Sequence, residues 1–271
     1  MAEPFVHLHL HTQYSLLDGA IKVKELIPRV KELGMDAVAI TDHGVMYGMI
    51  DFYQTAKKAG VKPILGCEIY VTAGDHQDRA VRDNYHLTLL AENDTGYKNL
   101  VKLVSIAHLE GFYYSPRVDK KLLQKYHEGL IALSGCLGGE VNQTLQAKGY
   151  EAARQKAAEY QAIFGERNYF LEVMHNGLDE QRQFNEAAVR IGQELGIPLV
   201  ATNDCHYMNQ EDAFAQEVLM CISTGKTLAD ESRIKHESSE FYFKSPQVMQ
   251  DQLGQYPGAI AATREIADRC D

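Results

Sequence analysis

Apolar residues in this 271-residue chain follow two different spacings in turn, and that alternation restricts the fold more than any other feature. FVHLHLH near the start alternates as a strand does, and the apolar set of KVKELIPRVKELG then recurs at helical spacing until Gly34 stops it. DAVAITD reads as a buried strand, MIDFYQTAKKAG as a helix closed by Gly60, and VKPILGCEIYV as a further strand. After the polar loop GDHQDRAVRDN come the strand YHLTLLAE, a helix that starts near Asp94, and GFYYSPRVD, which has no regular pattern. GLIALSG, NYFLEVM and IPLVATND complete seven strand segments, separated by helical patterns such as AARQKAAEYQAIFG and EQRQFNEAAVRIGQELG. Strands that alternate with helices favour a parallel sheet, and this length suits closure into a TIM-like α/β barrel. One domain over residues 1–271 is expected, with a helical C-terminal extension from about Glu211 around the extended patch SSEFYFKSP.

Several classes of protein are disfavoured. The five cysteines (Cys67, Cys136, Cys205, Cys221, Cys270) are odd in number and have no paired spacing, so reduced thiols are expected rather than a disulfide framework. The chain has no basic segment followed by an apolar run at its start and no run of about 18 apolar residues, which points to a cytoplasmic protein without a membrane span. A formal charge of −10 opposes tight non-specific binding of nucleic acid, although bound cations would change the local field.

Parallel α/β folds put their working groups where strands give way to loops, and metal-competent side chains collect at those points here. His9 and His11 share one face of the first strand with His7; Asp18 follows in SLLDG, and His43 ends the second strand in ITDHG. Glu68 lies on the third strand, His86 opens the fourth, Cys136 follows the fifth, and Asp204 and His206 end the last in ATNDCHY. Imidazole, carboxylate and thiolate are the ligands of borderline divalent metals, and the i, i+2 spacing of His9 with His11 and of Asp204 with His206 turns each pair to one side.

HLHLHTQYSLLDG, ITDHG, KPILGCEIYV, HLTLLAENDTGYKNLVKLVS, GLIALSGCLGGEV, LVATNDCHY and the closing EIADRCD resemble the PHP family, named for polymerase and histidinol phosphatase. The likeness spans essentially the whole chain and is to the PHP domains of bacterial replicative DNA polymerase III alpha chains. It implies a distorted seven-stranded (β/α) barrel whose top face holds up to three metal ions; histidines with one thiolate suit zinc, and shared carboxylates also admit manganese or iron. By this resemblance His9, His11, Glu68 and Asp204 surround one metal. Glu68 bridges to a second held by His86 and Cys136, and Asp18, His43 and His206 hold the third. All nine positions carry a ligand-type residue in this sequence.

Neighbouring residues receive plainer roles. His7 is expected to be structural, Asp42 to orient its neighbours, and Cys205 to be a buried small thiol. Gly138 and Gly139 in CLGGE lack the spacing of a phosphate loop and read as a turn into a helix. Arg117 is a candidate phosphate contact and Tyr113 or Tyr114 a candidate base-stacking group. No role is expected for His76, His108, His127, His175 or His236.

The expected chemistry is metal-assisted hydrolysis of a phosphoester in which His9, His11, Glu68, Asp204 and His206 do the catalytic work. The resemblance implies a 3′ to 5′ exonuclease acting on a DNA 3′ end, a proofreading role, joined to the remainder of a polymerase chain and next to a separate proofreading subunit. DNA synthesis by this length of chain alone is not expected. Two alternatives stand beside it: a phosphatase for a small phosphomonoester, which an acidic surface favours, and a metal-stabilised scaffold without turnover.

Overall fold

A computed structural model describes residues 4–233 and 238–271. Its strands are β1 (Ala37–Ile40), β2 (Lys62–Thr72), β3 (Tyr85–Ala91), β4 (Phe112–Tyr113), β5 (Ser115–Asp119), β6 (Leu130–Leu133), β7 (Tyr169–Val173) and β8 (Leu199–Ala201). The sheet runs β4-β5-β2-β3-β6-β7-β8, and β1 pairs with the other part of β2. Its two ends are joined by residues 5–11: Ala39 N donates to His7 O and Thr41 N to Leu10 O on one side, while His11 N and Cys205 N exchange bonds with Cys205 O and His9 O on the other. FVHLHLH therefore takes the place of a strand between β1 and the end of β8. Seven staves result, a curled α/β barrel with helices around it.

Two expectations about the sheet need correction. The first is that all strands run parallel: β3 is antiparallel to both β2 and β6, whereas β1–β2, β6–β7 and β7–β8 are parallel. A parallel neighbour needs a crossover that is usually helical, and residues 73–84 between β2 and β3 hold no helix, so the chain turns back beside β2. The second concerns GFYYSPRVD, which forms the β4–β5 hairpin, with β5 added in parallel to the far end of β2.

Period-two alternation then explains where the site lies. One apolar cluster joins Ala37 and Ala39, Ile64, Leu90, Ile131 and Leu133, Phe170 and Val200 to Ala262, Ile266 and Ala267 of the helix Ala259–Arg269, which plugs one end of the barrel. Continuing each stave on the same face gives Glu68 from Ile64, His86 from Leu90, Glu172 from Phe170 and Asp204 from Val200. The inward face is thus apolar at the plugged end and ionisable at the other. A larger cluster lies between the opposite face of the sheet and the outer helices, represented by Val38, Ile40, Leu89, Leu171 and Ala201 against residues such as Leu26, Phe52, Leu100 and Phe184. Burying such a side chain contributes about 1.5–3 kcal/mol, so the floor under the polar end is firm. At Gly66 a Cβ would come within 2.7 Å of Leu89 O and 2.9 Å of Thr41 Cγ2, which is why that stave narrows to glycine just below Glu68.

Candidate metal centre

All nine ligand-type residues meet at the polar end of the barrel. Glu68 is their hub. Its Oε2 lies 3.0 Å from His11 Nε2, 3.2 Å from His9 Nε2 and 3.1 Å from His43 Nδ1, and its Oε1 lies 2.8 Å from His86 Nδ1. Cys136 Sγ is 3.8 Å from Glu68 Oε1 and 3.6 Å from His86 Nδ1. Asp204 Oδ1 approaches His11 Nε2 at 3.1 Å and His9 Nε2 at 3.3 Å. On the outer side Asp18 Oδ2 sits between His43 Nε2 at 3.0 Å and His206 Nε2 at 3.1 Å. His86 reaches the cluster from the start of its strand because β3 is reversed, and Gly138 packs so closely on its ring that a Cβ there would lie 3.0 Å from His86 Cγ.

Burial opposes every charge in this cluster, and the opposite charges overcome it. Burial raises the pKa of Glu68, yet His86, His9 and His43 bring it well below the usual carboxylate range; Asp204 and Asp18 are lowered in the same way by their histidines. Burial lowers the histidines, but the facing carboxylates push His43 to about 10 and His206 to about 9, and Glu172, Asp204 and Glu68 hold His9 well above its ordinary value. Burial, with Asp204 and Glu68 nearby, raises the Cys136 thiol well above its ordinary value, so its thiolate needs a cation beside it.

Divalent cations fit these residues, and the atoms without partners supply the test. His9 Nε2, His11 Nε2, His43 Nδ1, Glu68 Oε2 and Asp204 Oδ1 are buried and make no hydrogen bond. Leaving such atoms unsatisfied costs about 1–3 kcal/mol each, and these five converge on the same small volume. Separations near 3 Å between donor atoms are those of neighbouring ligands on an ion bound at about 2.0–2.2 Å.

The far sides of the rings of His9, His11 and His206 are held so that Nε2 of each converges on the cluster, where a cation could take the place of a proton. Ser15 Oγ gives its one hydrogen to Asp42 Oδ1, so at 3.0 Å His11 Nδ1 must be the donor to it, which leaves Nε2 facing the cluster. Asp42 also accepts from Thr12 N and Thr12 Oγ1, so it anchors the loop that carries His11 and Ser15. His206 Nδ1 donates to Asp204 O. Asp204 itself has φ 49°, and Leu17, next to Asp18, has φ 60°. Such left-handed non-glycine residues gather where a site is held against backbone preference.

Glu172 was not anticipated. Its Oε2 accepts from His9 Nδ1 at 2.8 Å and Thr202 Oγ1 at 2.6 Å, and its Oε1 accepts from Gly135 N. It fixes the tautomer that turns His9 Nε2 toward Glu68. The only sequence signal was a carboxylate inside the apolar run NYFLEVM, which needs a buried partner. Glu172→Gln is expected to weaken metal binding about 10- to 100-fold, read by competition with a calibrated chelator, while circular dichroism stays native. Unchanged affinity would mean that Glu172 merely closes the barrel.

Other candidates settle elsewhere. His7 Nε2 meets Lys244 O at 2.8 Å, and burial takes its pKa down to about 4, so it is a neutral strut beneath the cluster. Cys205 is buried beside His7 and Tyr242 O. Arg117 is not a phosphate contact: it is 1 % exposed and donates to Val81 O and Asp78 O, pinning residues 78–83 to β5. Tyr113 lies against Arg79 and Arg117 rather than on the open cleft of about 650 Å³ above the ligand cluster. Tyr114 does line that cleft, with Asp18, His43, His86, Tyr47 and Tyr70. His76 bonds Asp119 at the edge of β5, His108 bonds Gly44 O, and His236 lies outside the described residues. Among the described residues no helix is long and apolar enough to cross a membrane.

Comparison with known proteins gives a coherent result. The DNA polymerase III subunit alpha of Helicobacter pylori (strain ATCC 700392 / 26695) is 50% identical over 277 residues, which cover 98% of this chain and 23% of that protein. The subunit of the same name from Borreliella burgdorferi is 46% identical over 98% of this chain and 24% of its own length, and that from Thermus aquaticus 44% over 98% and 23%. The chain thus spans about a quarter of the length of these curated relatives. The model of the PHP domain matches residues 7–176, a stretch that includes Glu68 and its histidine partners and ends before Asp204. The chain belongs to the PHP domain family.

Proposed function

We propose that this chain is a metal-dependent phosphoesterase that removes nucleotides from a DNA 3′ end, and that it does so as one part of a larger replicative polymerase. The observation that carries the proposal is the set of buried ligand atoms that converge around Glu68 without hydrogen bonds, at the floor of an open cleft. Divalent cations held there would supply Lewis acidity for activating water and positive charge for a phosphoryl group. His9, His11, Glu68 and Asp204 would hold one ion, Glu68 with His86 and Cys136 a second, and Asp18, His43 and His206 a third, zinc being the ion that best suits imidazole with one thiolate.

The chain's own groups complete the site. Glu172 and Ser15 lock the rings of His9 and His11 from behind, so the ligand geometry is set before substrate arrives. Tyr70 lines the cleft between His43 and His86, and burial together with Glu68 and Asp18 keeps its hydroxyl protonated at any physiological pH. It is a neutral donor on the cleft wall, able to give a hydrogen bond to a phosphoester or departing oxygen bound there. DNA is favoured as substrate because the matched relatives are named as DNA polymerase subunits.

The test combines elemental analysis of chain purified without chelator with release of mononucleotides from a 3′-labelled primer. Bound metal and mononucleotide release, both lost in His11→Ala, are expected. Bound metal without release from DNA would shift the function to a small phosphomonoester or to a scaffold. Absence of metal after reconstitution would overturn the ligand set.

A further inference from the structure

We propose that Tyr114 and Arg82 form a lip that stacks on the terminal base of a single-stranded nucleic-acid end and grips its phosphate; this rests on the phosphoesterase reading and names what the cleft takes. The β4–β5 hairpin pairs Phe112 with Pro116 and Tyr113 with Ser115, so Tyr114 alone forms its tip. Its φ is 62°, a conformation that glycine adopts freely and a bulky L residue only at a cost. The position nevertheless carries an aromatic ring that is 61 % exposed and lines the wall of the cleft. A hairpin that needed only to turn would place glycine there.

The ring is also dressed for a polyanion. Arg82 Cζ stands 3.4 Å from its centroid, and Arg82 forms no ion pair among the described residues. A guanidinium stacked on an aromatic face keeps its N–H edge available to phosphate. Arg79 is turned away to the Tyr113 ring, at 5.9 Å, and donates to Glu110 O, so Arg82 is the arginine at this tip in a chain whose net charge is −10. Tyr47, 62 % exposed, lines the same cleft and offers a second ring. A phosphomonoester without a base would have no use for these rings, whereas an unstacked base at a strand end has a π-face to place on them.

The experiment is fluorescence anisotropy of a short 5′-labelled deoxythymidine oligonucleotide with the 271-residue chain, in chelator to prevent turnover, alongside thermal melts. Tyr114→Gly is expected to bind about tenfold more weakly and Tyr114→Phe about as well as the unaltered chain. The Tyr114→Gly melting temperature should be no lower, because glycine relieves the backbone. Arg82→Gln should reduce the slope of log affinity against log salt by about 0.7. Tyr114→Gly binding at full strength, weakening only together with a fall in melting temperature, or no oligonucleotide binding by the unaltered chain would each overturn the lip. Mononucleotide release that is equally efficient in Tyr114→Gly would remove the lip and leave the phosphoesterase intact. The anisotropy pattern without hydrolysis of any ester would keep the lip and remove the chemistry.

Discussion

Glu68→Gln is expected to purify with bound metal reduced at least about a hundredfold and with the lowest melting temperature of any single change at this site. Among the described residues no other side chain touches so many of the cluster: its two oxygens lie within 3.2 Å of nitrogens on His9, His11, His43 and His86. An amide keeps the shape but gives one neutral oxygen and an N–H₂ that points protons at imidazole nitrogens. Loss of outer partners of metal ligands already costs about 10- to 100-fold in affinity, and a ligand shared between ions is a larger loss. The cation-free chain suffers as well. Glu68 holds the protons of His9 and His43, and removing one member of a buried charge network costs about 3–5 kcal/mol. Elemental analysis and differential scanning calorimetry on the same sample provide the check, and full metal content with an unchanged transition would refute the hub.

Removing the metal from the unaltered chain is expected to lower its melting temperature by roughly 10 °C at neutral pH and to reverse its pH dependence. An ion present at about 1,000 times its dissociation constant stabilises by about 4 kcal/mol, and a domain of this size shifts by about 2–4 °C per kcal/mol. Without metal, His43 and His206 have folded values of about 10 and about 9 against 6.5 unfolded. Their contribution is fully present below pH 6.5 and disappears as pH rises through 9 to 10. Glu68, Asp18 and Asp204 are depressed, so their contribution is present at neutral pH and is lost only in acid. With metal bound those histidines have already given up their protons, and acid rather than alkali weakens the folded state. The gap between loaded and chelated melting temperatures should therefore widen from pH 7 to pH 10. A constant gap would mean that the ions bind elsewhere.

The staves were legible because burial on both faces leaves long apolar runs, and the ligand types stood out because ionisable residues at strand ends have few structural uses. Direction was not legible in β3, since YHLTLLAE has the same pattern whichever way it points and only the helix-free connection decides. The β4–β5 hairpin was hidden by its brevity and by Pro116, which interrupts any alternation. Arg117 misled because its burial depends on carbonyls of residues 78–83, distant in sequence and invisible in SPRVD. Glu172 was overlooked for the converse reason: one carboxylate in an apolar run declares nothing until His9, 163 positions away, is seen beside it.

The reversal of β3 also determines where this protein can be rebuilt. In a uniformly parallel barrel every connection on the working side follows its strand, but here residues 73–84 precede one, and they bring Arg82 to the mouth. A peptide epitope or fluorescent reporter spliced into that connection would stand over the cleft and sense its occupancy. The same insert at 165–168, ahead of β7, would sit at the plugged end, where Gly165 is exposed and meets nothing within 4 Å. One connection is thus a place to install a sensor, and the other a place to attach a surface or a fusion without disturbing the chemistry.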